Sequence, residues 1–483
     1  MYVRPRRALW TSGGFQALPQ GFRCFCSGRA ESGSPRRANL TRVKAQLLCI
    51  GDLHLGRRPT HLPPDEALLN ASELGPEAAL RECVQKAIEL EVDAVLLAGD
   101  VVERLEDRFA AFGALLDAVT ELTELGIPVI GVTGNHDTEA LPRLAERIPA
   151  FQLLGRGGRW EAFDIEREGE SLLRVWGWSF PDQHYTLNPL EGFPGQRKKG
   201  LTEIGLLHAD LDKKSSAYAP VARTALAKTG LNAWLLGHVH KPSLEGKPPI
   251  GYLGSVAAFD PGETGPRGPW VLNLNDKGSL SVEHLPLAPL RYENVELDVS
   301  ELGASDASGY EDVLHDLLYK RGLEQTAARL MGETEHTQAV CVRVHLVGRS
   351  SSRLALARAV ASLENRTGGL PSLRADRTFY YVDQIVDRAR AARNLEVLAR
   401  DTSYPGLIAK RILSLEALDT EGQRMVERAA EELPRRLGLA NRNSLGLDMH
   451  PIETEELQRS LIEAAHEALE RVLAQGQEMD GGF

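Results

Sequence analysis

The chain has 483 residues, 42% of them hydrophobic and 25% charged, the make-up of an ordinary globular protein of two or three domains. No apolar run approaches the roughly 18–20 residues that cross a bilayer, which argues against a membrane-inserted chain. The net charge of −11 is uneven: eight Arg and one Lys against the single acid Glu31 in residues 1–46 leave −19 on the remainder. An acidic body is not a nonspecific nucleic-acid coat, so a nucleic-acid substrate would have to be gripped by local basic loops and by metal. The five cysteines, Cys24, Cys26, Cys49, Cys83 and Cys341, form neither a disulfide framework nor a CxxC pair and point to a reducing, cytoplasmic setting.

Residues 1–45 are rich in Arg, Gly, Ser and Pro without apolar period. They read as a disordered or mis-started N-terminal extension, with an organelle transit peptide as the alternative. From residue 46 apolar strand-like runs alternate with helical stretches, the pattern of an α/β catalytic domain over 46–290. Leu47–Ile50 ends in Gly51-Asp52-Leu53-His54-Leu55-Gly56; Ala94–Ala98 ends in Gly99-Asp100. Residues 107–125 read as an amphipathic helix with Phe109, Phe112, Leu115, Leu116, Val119 and Leu122 on one face. Val129–Val132 ends in Gly134-Asn135-His136-Asp137, Ile204–Leu207 in His208, and Ala233–Leu236 in Gly237-His238-Val239-His240. A last core strand, Trp270–Leu274, follows the turn-rich loop Gly262–Pro269. Beyond Pro289 a β-α-β-α-β order (292–299, 310–323, 339–347, 353–363, 378–386) predicts a small α+β cap domain over 291–390. Residues 391–483 read as a helical tail. Its clearest helix, about 453–475, carries the apolar stripe Leu457, Leu461, Ala465, Leu469 and Val472, either packed on the body or free to dock a partner helix.

The strand ends deliver Asp52, His54, Asp100, Asn135, His208, His238 and His240. With His136, five of the thirteen histidines fall in these short motifs, too many for chance placement. On an extended strand the Asp52-x-His54 spacing puts both side chains on one face, beyond the carboxyl end where α/β sheets build their sites. His184, the rival of His208, lies in a Pro-Asp-Gln loop with no strand before it. Carboxylate, imidazole and amide oxygen suit Mn2+, Fe2+ or Zn2+. Seven ligands are too many for one ion and fit two divalent metal ions if Asp100 bridges. Arg57 and Arg58, Arg197-Lys198-Lys199 and Lys213-Lys214 are candidate grips on a phosphate backbone. His466-Glu467 opens like a zinc-protease helix but lacks the second His. There is no P-loop.

In their order and form these blocks resemble the calcineurin-like metallophosphoesterase superfamily, and Asp52-Leu53-His54-Leu55-Gly56 resembles its SbcD-type DNA repair exonuclease branch. The resemblance implies a four-layer α/β/β/α core followed by the cap and a partner-docking helical tail. It implies one ion held by Asp52, His54, Asp100 and His240, and a second by Asp100, Asn135, His208 and His238, with Mn2+ the usual ion. His136 would face the scissile phosphate and Asp137 would orient it. DNA would be the substrate, an SbcC-type coiled-coil ATPase the partner, and a homodimer the assembly. Nuclease relatives often carry His or Asp three residues beyond the bridging Asp; here that residue is Glu103. A small-molecule phosphodiesterase or phosphoprotein phosphatase on the same core, or a non-cleaving DNA-end scaffold, are the alternatives.

Overall fold

The computed structural model describes residues 43–480 apart from 65, 66, 68, 196, 197, 199, 214, 303–306, 393, 394 and 437–453. The N-terminal extension, Cys24-x-Cys26, Arg197, Lys199 and Lys214 therefore lie outside the described residues.

Strand β1 (Val43–Ile50) is followed by β2 (Ala94–Ala98), β3 (Val129–Val132) and β4 (Phe151–Leu153), all parallel neighbours in one sheet. β5 (Trp160–Arg167) and β6 (Glu170–Trp178) form a hairpin that opens a second sheet. Here β6, β7 (Thr202–His208), β8 (Ala233–Gly237) and β9 (Ile250–Tyr252) run parallel. The chain then returns to the first sheet: β10 (Trp270–Asn275) lies antiparallel on β1, and β11 (Leu280–His284) covers its outer edge. Trp270–Leu274 is thus not the last core strand. The expected pattern also passed over β4, β5, β6 and β9. In β5 the solvent-side residues Glu161, Glu166 and Arg167 break the apolar run, and β4 and β9 are three residues each.

The parallel strands read as continuous apolar runs because both faces of each sheet are covered. Leu47, Leu96 and Ile130 meet Ile204, Leu235 and Leu173 between the sheets. On the far side of the first sheet, Leu48, Val95 and Leu97 pack on Val84 of the helix Pro76–Glu89 and Leu115 and Val119 of the helix Arg108–Glu124. On the far side of the second, Trp178, Trp234 and Leu236 pack on Leu226 of the helix Arg223–Lys228. The result is the expected α/β/β/α layering. Phe109 is the exception on its helix. It is 68% exposed, under the guanidinium of Arg108, because the first turn overhangs the sheet.

A third sheet follows. β12 (Leu290–Asp298), β13 (Ala339–Val347) and β16 (Thr378–Asp387) run parallel, with β15 (Ser372–Ala375) antiparallel at the edge and a short β14–β17 pair (Arg349–Ser350, Arg390–Ala391) beyond. One face packs Val342, Val344 and Val382 against Leu314 and Leu318 of the first cap helix and Leu356 and Leu363 of the helix Arg353–Asn365. The other face seats Tyr292, Cys341 and Tyr381 on Ala67, Leu74 and Ala258. Two of these tyrosines reach further: Tyr292 donates its hydroxyl to the Thr60 carbonyl and Tyr381 to that of His61, each at 2.5 Å.

The tail is helical (Leu395–Leu398, Tyr404–Ala417, Thr420–Arg436, Thr454–Asp480). Its apolar stripe is not a free docking face. Leu469 is buried on Ala409 and Ile412, and Leu457 on Leu415 and Val426.

Candidate metal centre

The seven ligand candidates converge where the carboxyl ends of β1, β2, β3, β7 and β8 face one another. The placement is not simple strand alternation, however. β1 ends at Ile50, and Asp52 and His54 sit in the left-handed region with φ of 37° and 51°. Asp100 (47°) and His238 (105°) do the same. Such backbone costs about 1–3 kcal/mol per residue and persists only where its surroundings hold it. Here they do: the His54 and Leu55 amides donate to the Asp100 and Val101 carbonyls at 2.8 Å, and the His238 amide donates to Asp52 Oδ1 at 2.8 Å. The glycines in the motifs are steric necessities. A Cβ on Gly134 would run into the Asp100 carboxylate, and one on Gly237 into the Ala98 carbonyl.

Asp100 lies at the middle. Its Oδ2 is 3.2 Å from Nε2 of His208 and 3.9 Å from Nε2 of His54. On one side, His54 and His240 turn their Nε2 atoms on each other at 3.0 Å. On the other, Asn135 Oδ1 is 3.1 Å from both His208 Nε2 and His238 Nδ1. Asp52 is fully buried, and its Oδ2 has no hydrogen-bond partner. A buried, orphaned carboxylate oxygen beside converging imidazole nitrogens is what a cation resolves. The donor set of oxygen and imidazole nitrogen suits a borderline divalent ion. The donor chemistry of these residues therefore fits a divalent metal ion.

The electrostatics agree. Burial raises the Asp52 carboxyl above its ordinary range. Burial opposes ionisation of Asp100 too, but His208, His54 and His136 around it hold it well below that range. Burial would push His208 down, yet Asp100 beside it carries it up to about 9. His238 is pushed down to about 4 by burial and by the His208 charge.

His136 is exposed at the mouth, edge-on to the His54 ring at 5.2 Å, with Nδ1 3.2 Å from the Glu103 carbonyl. Asp137 does not orient it. The Asp137 carboxylate is buried and accepts the amides of Gly134 (2.8 Å), Val101 (2.7 Å) and Val102 (3.4 Å). It ties the loop after β3 to the loop after β2, and so sets Asp100 and Asn135 rather than the imidazole. Burial and the Asp100 charge push its pKa up to about 7.

Arg57 lies over the Phe259 ring at 4.4 Å, and that ring borders both His54 and His240 at 5.7 Å. Arg58 is exposed on the same loop. Lys198 and Lys213 are instead engaged by acids, Asp164 at 3.7 Å and Asp210 at 2.8 Å. His184 stacks on Tyr218, whose ring borders His238 at 5.0 Å, so it meets the ligands only through that tyrosine.

Sequence reading missed two acids here. Asp210 Oδ1 lies 3.3 Å from His238 Nε2, and Glu263 Oε1 lies 2.5 Å from His240 Nδ1. Asp210 carried a signal, since His208-x-Asp210 repeats after β7 the spacing of Asp52-x-His54 after β1. Glu263 carried none inside its turn-rich loop. Glu103, noted for its position, lies with Oε2 2.7 Å from His54 Nδ1.

Residues 45–242 match the model of the calcineurin-like phosphoesterase family, so that stretch carries a calcineurin-like phosphoesterase domain. Among relatives, the uncharacterized metallophosphoesterase YhaO of Bacillus subtilis is 27% identical over 52% of this chain and 62% of its own length. The DNA double-strand break repair protein Mre11 of Aeropyrum pernix is 25% identical over 67% of this chain and 78% of its own. That of Methanocaldococcus jannaschii is 26% identical over 41% and 51%. Solved structures of TT1561 from Thermus thermophilus and of a dimetal phosphatase from Danio rerio cover 50% of this chain and 99% of theirs. Both are 13% identical, with TM-scores of 0.30 and 0.32. No described helix is long and apolar enough to cross a membrane.

Proposed function

We propose that this chain is a two-metal phosphodiesterase that degrades DNA from its ends, a 3′-to-5′ exonuclease with endonuclease capacity, serving DNA repair in the cytoplasm. The observation that carries it is the convergence of Asp52, His54, Asp100, Asn135, His208, His238 and His240 beneath one exposed imidazole, His136. Similarity to archaeal proteins named for DNA double-strand break repair supports DNA over other phosphodiesters.

Asp52, His54, Asp100 and His240 would hold one divalent ion, and Asp100, Asn135, His208 and His238 the other, Mn2+ by preference. Bound there, the ions supply Lewis-acid charge for the phosphate oxygens and ease ionisation of the attacking water. The rest falls to the chain. Arg57 and Arg58 line the entry loop and draw the phosphate backbone to it. His136, its Nδ1 turned to the Glu103 carbonyl, presents Nε2 outward to the scissile group, where it stabilises charge or protonates the leaving 3′ oxygen. Asp137 keeps the loops beneath it in register.

The test is release of nucleotides from end-labelled double- and single-stranded DNA with added Mn2+. His136→Ala should lose about 10²- to 10⁴-fold in rate with its Mn2+ content unchanged. Asp100→Ala should lose both. Hydrolysis of a chromogenic phosphodiester with DNA left intact would instead favour the small-molecule reading.

A coiled-coil ATPase partner and a homodimer complete the proposal. Since the stripe of the last helix is covered, a candidate surface for the ATPase among the described residues of the tail is the apolar set Val397, Tyr404 and Leu407 on the preceding helices, 57%, 79% and 49% exposed. Tyr404→Glu combined with Leu407→Glu should abolish co-purification of the ATPase without altering Mn2+-dependent hydrolysis of the chromogenic ester.

A further inference from the structure

The imidazoles of His54 and His240 bring their Nε2 atoms within 3.0 Å. Such a contact has two resolutions: one ring keeps an Nε2 proton and donates it to the other, or both rings carry their protons on Nδ1 and a cation takes both lone pairs. What stands behind each ring decides between them.

Behind His240 stands Glu263. Its Oε1 is 2.5 Å from Nδ1, and its Oε2 accepts the Phe259 amide at 2.9 Å, so the carboxylate is fixed from both ends. A carboxylate accepts and does not donate, which puts the His240 proton on Nδ1. The main chain of His240 is caught from the same loop. Arg267, 4% exposed, donates Nη1 to the His240 carbonyl and Nη2 to that of Thr264 at 3.4 Å. Behind His54 stands Glu103, 2.7 Å from Nδ1 but off the line of a proper hydrogen bond. The two sides are therefore unequal. His54 is 1% exposed and immobilised by packing, whereas His240 is half-buried beyond the left-handed His238 and depends on the loop 260–267 for its orientation.

We propose that Glu263, backed by Arg267, is a positioning residue: it holds His240 as the Nδ1–H tautomer, so that its Nε2 lone pair points with that of His54 at a cation between Asp52 and Asp100. The inference rests on the two-ion reading of the site, but not on the substrate. In the metal-free chain Glu263 leaves the His240 Nε2 lone pair facing His54, so that half of the seat is set before the ion arrives.

The experiment is Mn2+ titration of the full chain by calorimetry, with no DNA present. Glu263→Leu should weaken the ion at His240 about 10- to 100-fold. Glu263→Gln, whose amide oxygen still accepts from Nδ1, should recover most of that loss. Metal-free melting temperatures of the two variants show that both are folded. Independently, 15N shifts of the labelled histidines in the metal-free wild type should report His240 as the Nδ1–H tautomer. Wild-type Mn2+ affinity in Glu263→Leu, or an Nε2–H tautomer at His240, overturns the assignment. A wild-type chain that takes up Mn2+ but cuts no DNA removes the nuclease reading and leaves this one intact; a chain that takes up none removes both.

Discussion

Two neighbours in one motif, His136 and Asp137, do different work, and their variants separate it. The His136 side chain is exposed and bonded through one ring nitrogen to a carbonyl, while its amide, which donates to Asp100 Oδ1 at 2.9 Å, survives in alanine, so the substitution removes the imidazole and leaves the backbone contact. Asp137 receives three backbone amides from two loops. Asp137→Ala should therefore lower Mn2+ affinity and stability together. Hydrogen bonds of this kind contribute about 0.5–1.5 kcal/mol each, which predicts a clear drop in melting temperature that His136→Ala does not show. Gly134→Ala makes the complementary point. No ligand changes, yet the new Cβ displaces the Asp100 carboxylate, and calorimetry should find Mn2+ binding lost at both ion positions.

Among the elements, β2 packs on both of its faces, Val95 and Leu97 towards the helices and Leu96 towards the second sheet. Leu96 of β2 is fully buried against both sheets, and Leu96→Ala should cost about 2–5 kcal/mol in urea unfolding, with the site chemistry untouched. β2 was readable in the sequence because an uninterrupted apolar run bounded by Gly99-Asp100 has few other uses. β1, β3, β7 and β8 were readable for the same reason. β5 was not, since a strand with one face in water and acids along it resembles a loop. The site was legible to the same degree. Asp52, Asp100, Asn135 and His238 each follow a strand and a glycine, and His208 closes β7, whereas Glu263 and Arg267 act across more than 20 residues from a loop whose local pattern says only turn. The geometry at Asp52 and His54 was right in outcome and wrong in cause. Their common direction comes from two left-handed residues, a backbone choice that spacing alone does not record.

At the scale of the whole molecule, stability should depend on pH through a histidine that is not among the ligand candidates. His284 of β11 is packed edge to the Trp270 ring at 5.0 Å with a buried, unpartnered Nε2; burial and the nearby Arg267 push its pKa down to about 4. The folded state thus prefers the neutral ring. That preference is harmless above the unfolded value of about 6.5, and stability is lost as pH falls from there towards 4. Melting curves from pH 7 to 4.5 should show a shallower decline in His284→Phe than in wild type.

The hydroxyls of Tyr292 and Tyr381 bind the carbonyls of Thr60 and His61, three and four residues beyond Arg57. The entry loop thus hangs from the third sheet as a sign hangs from two hooks. Thr60 is caught from the core as well, its amide and hydroxyl both donating to the Phe259 carbonyl, so the loop that carries the arginines is the seam where the third sheet is stitched to the metal centre.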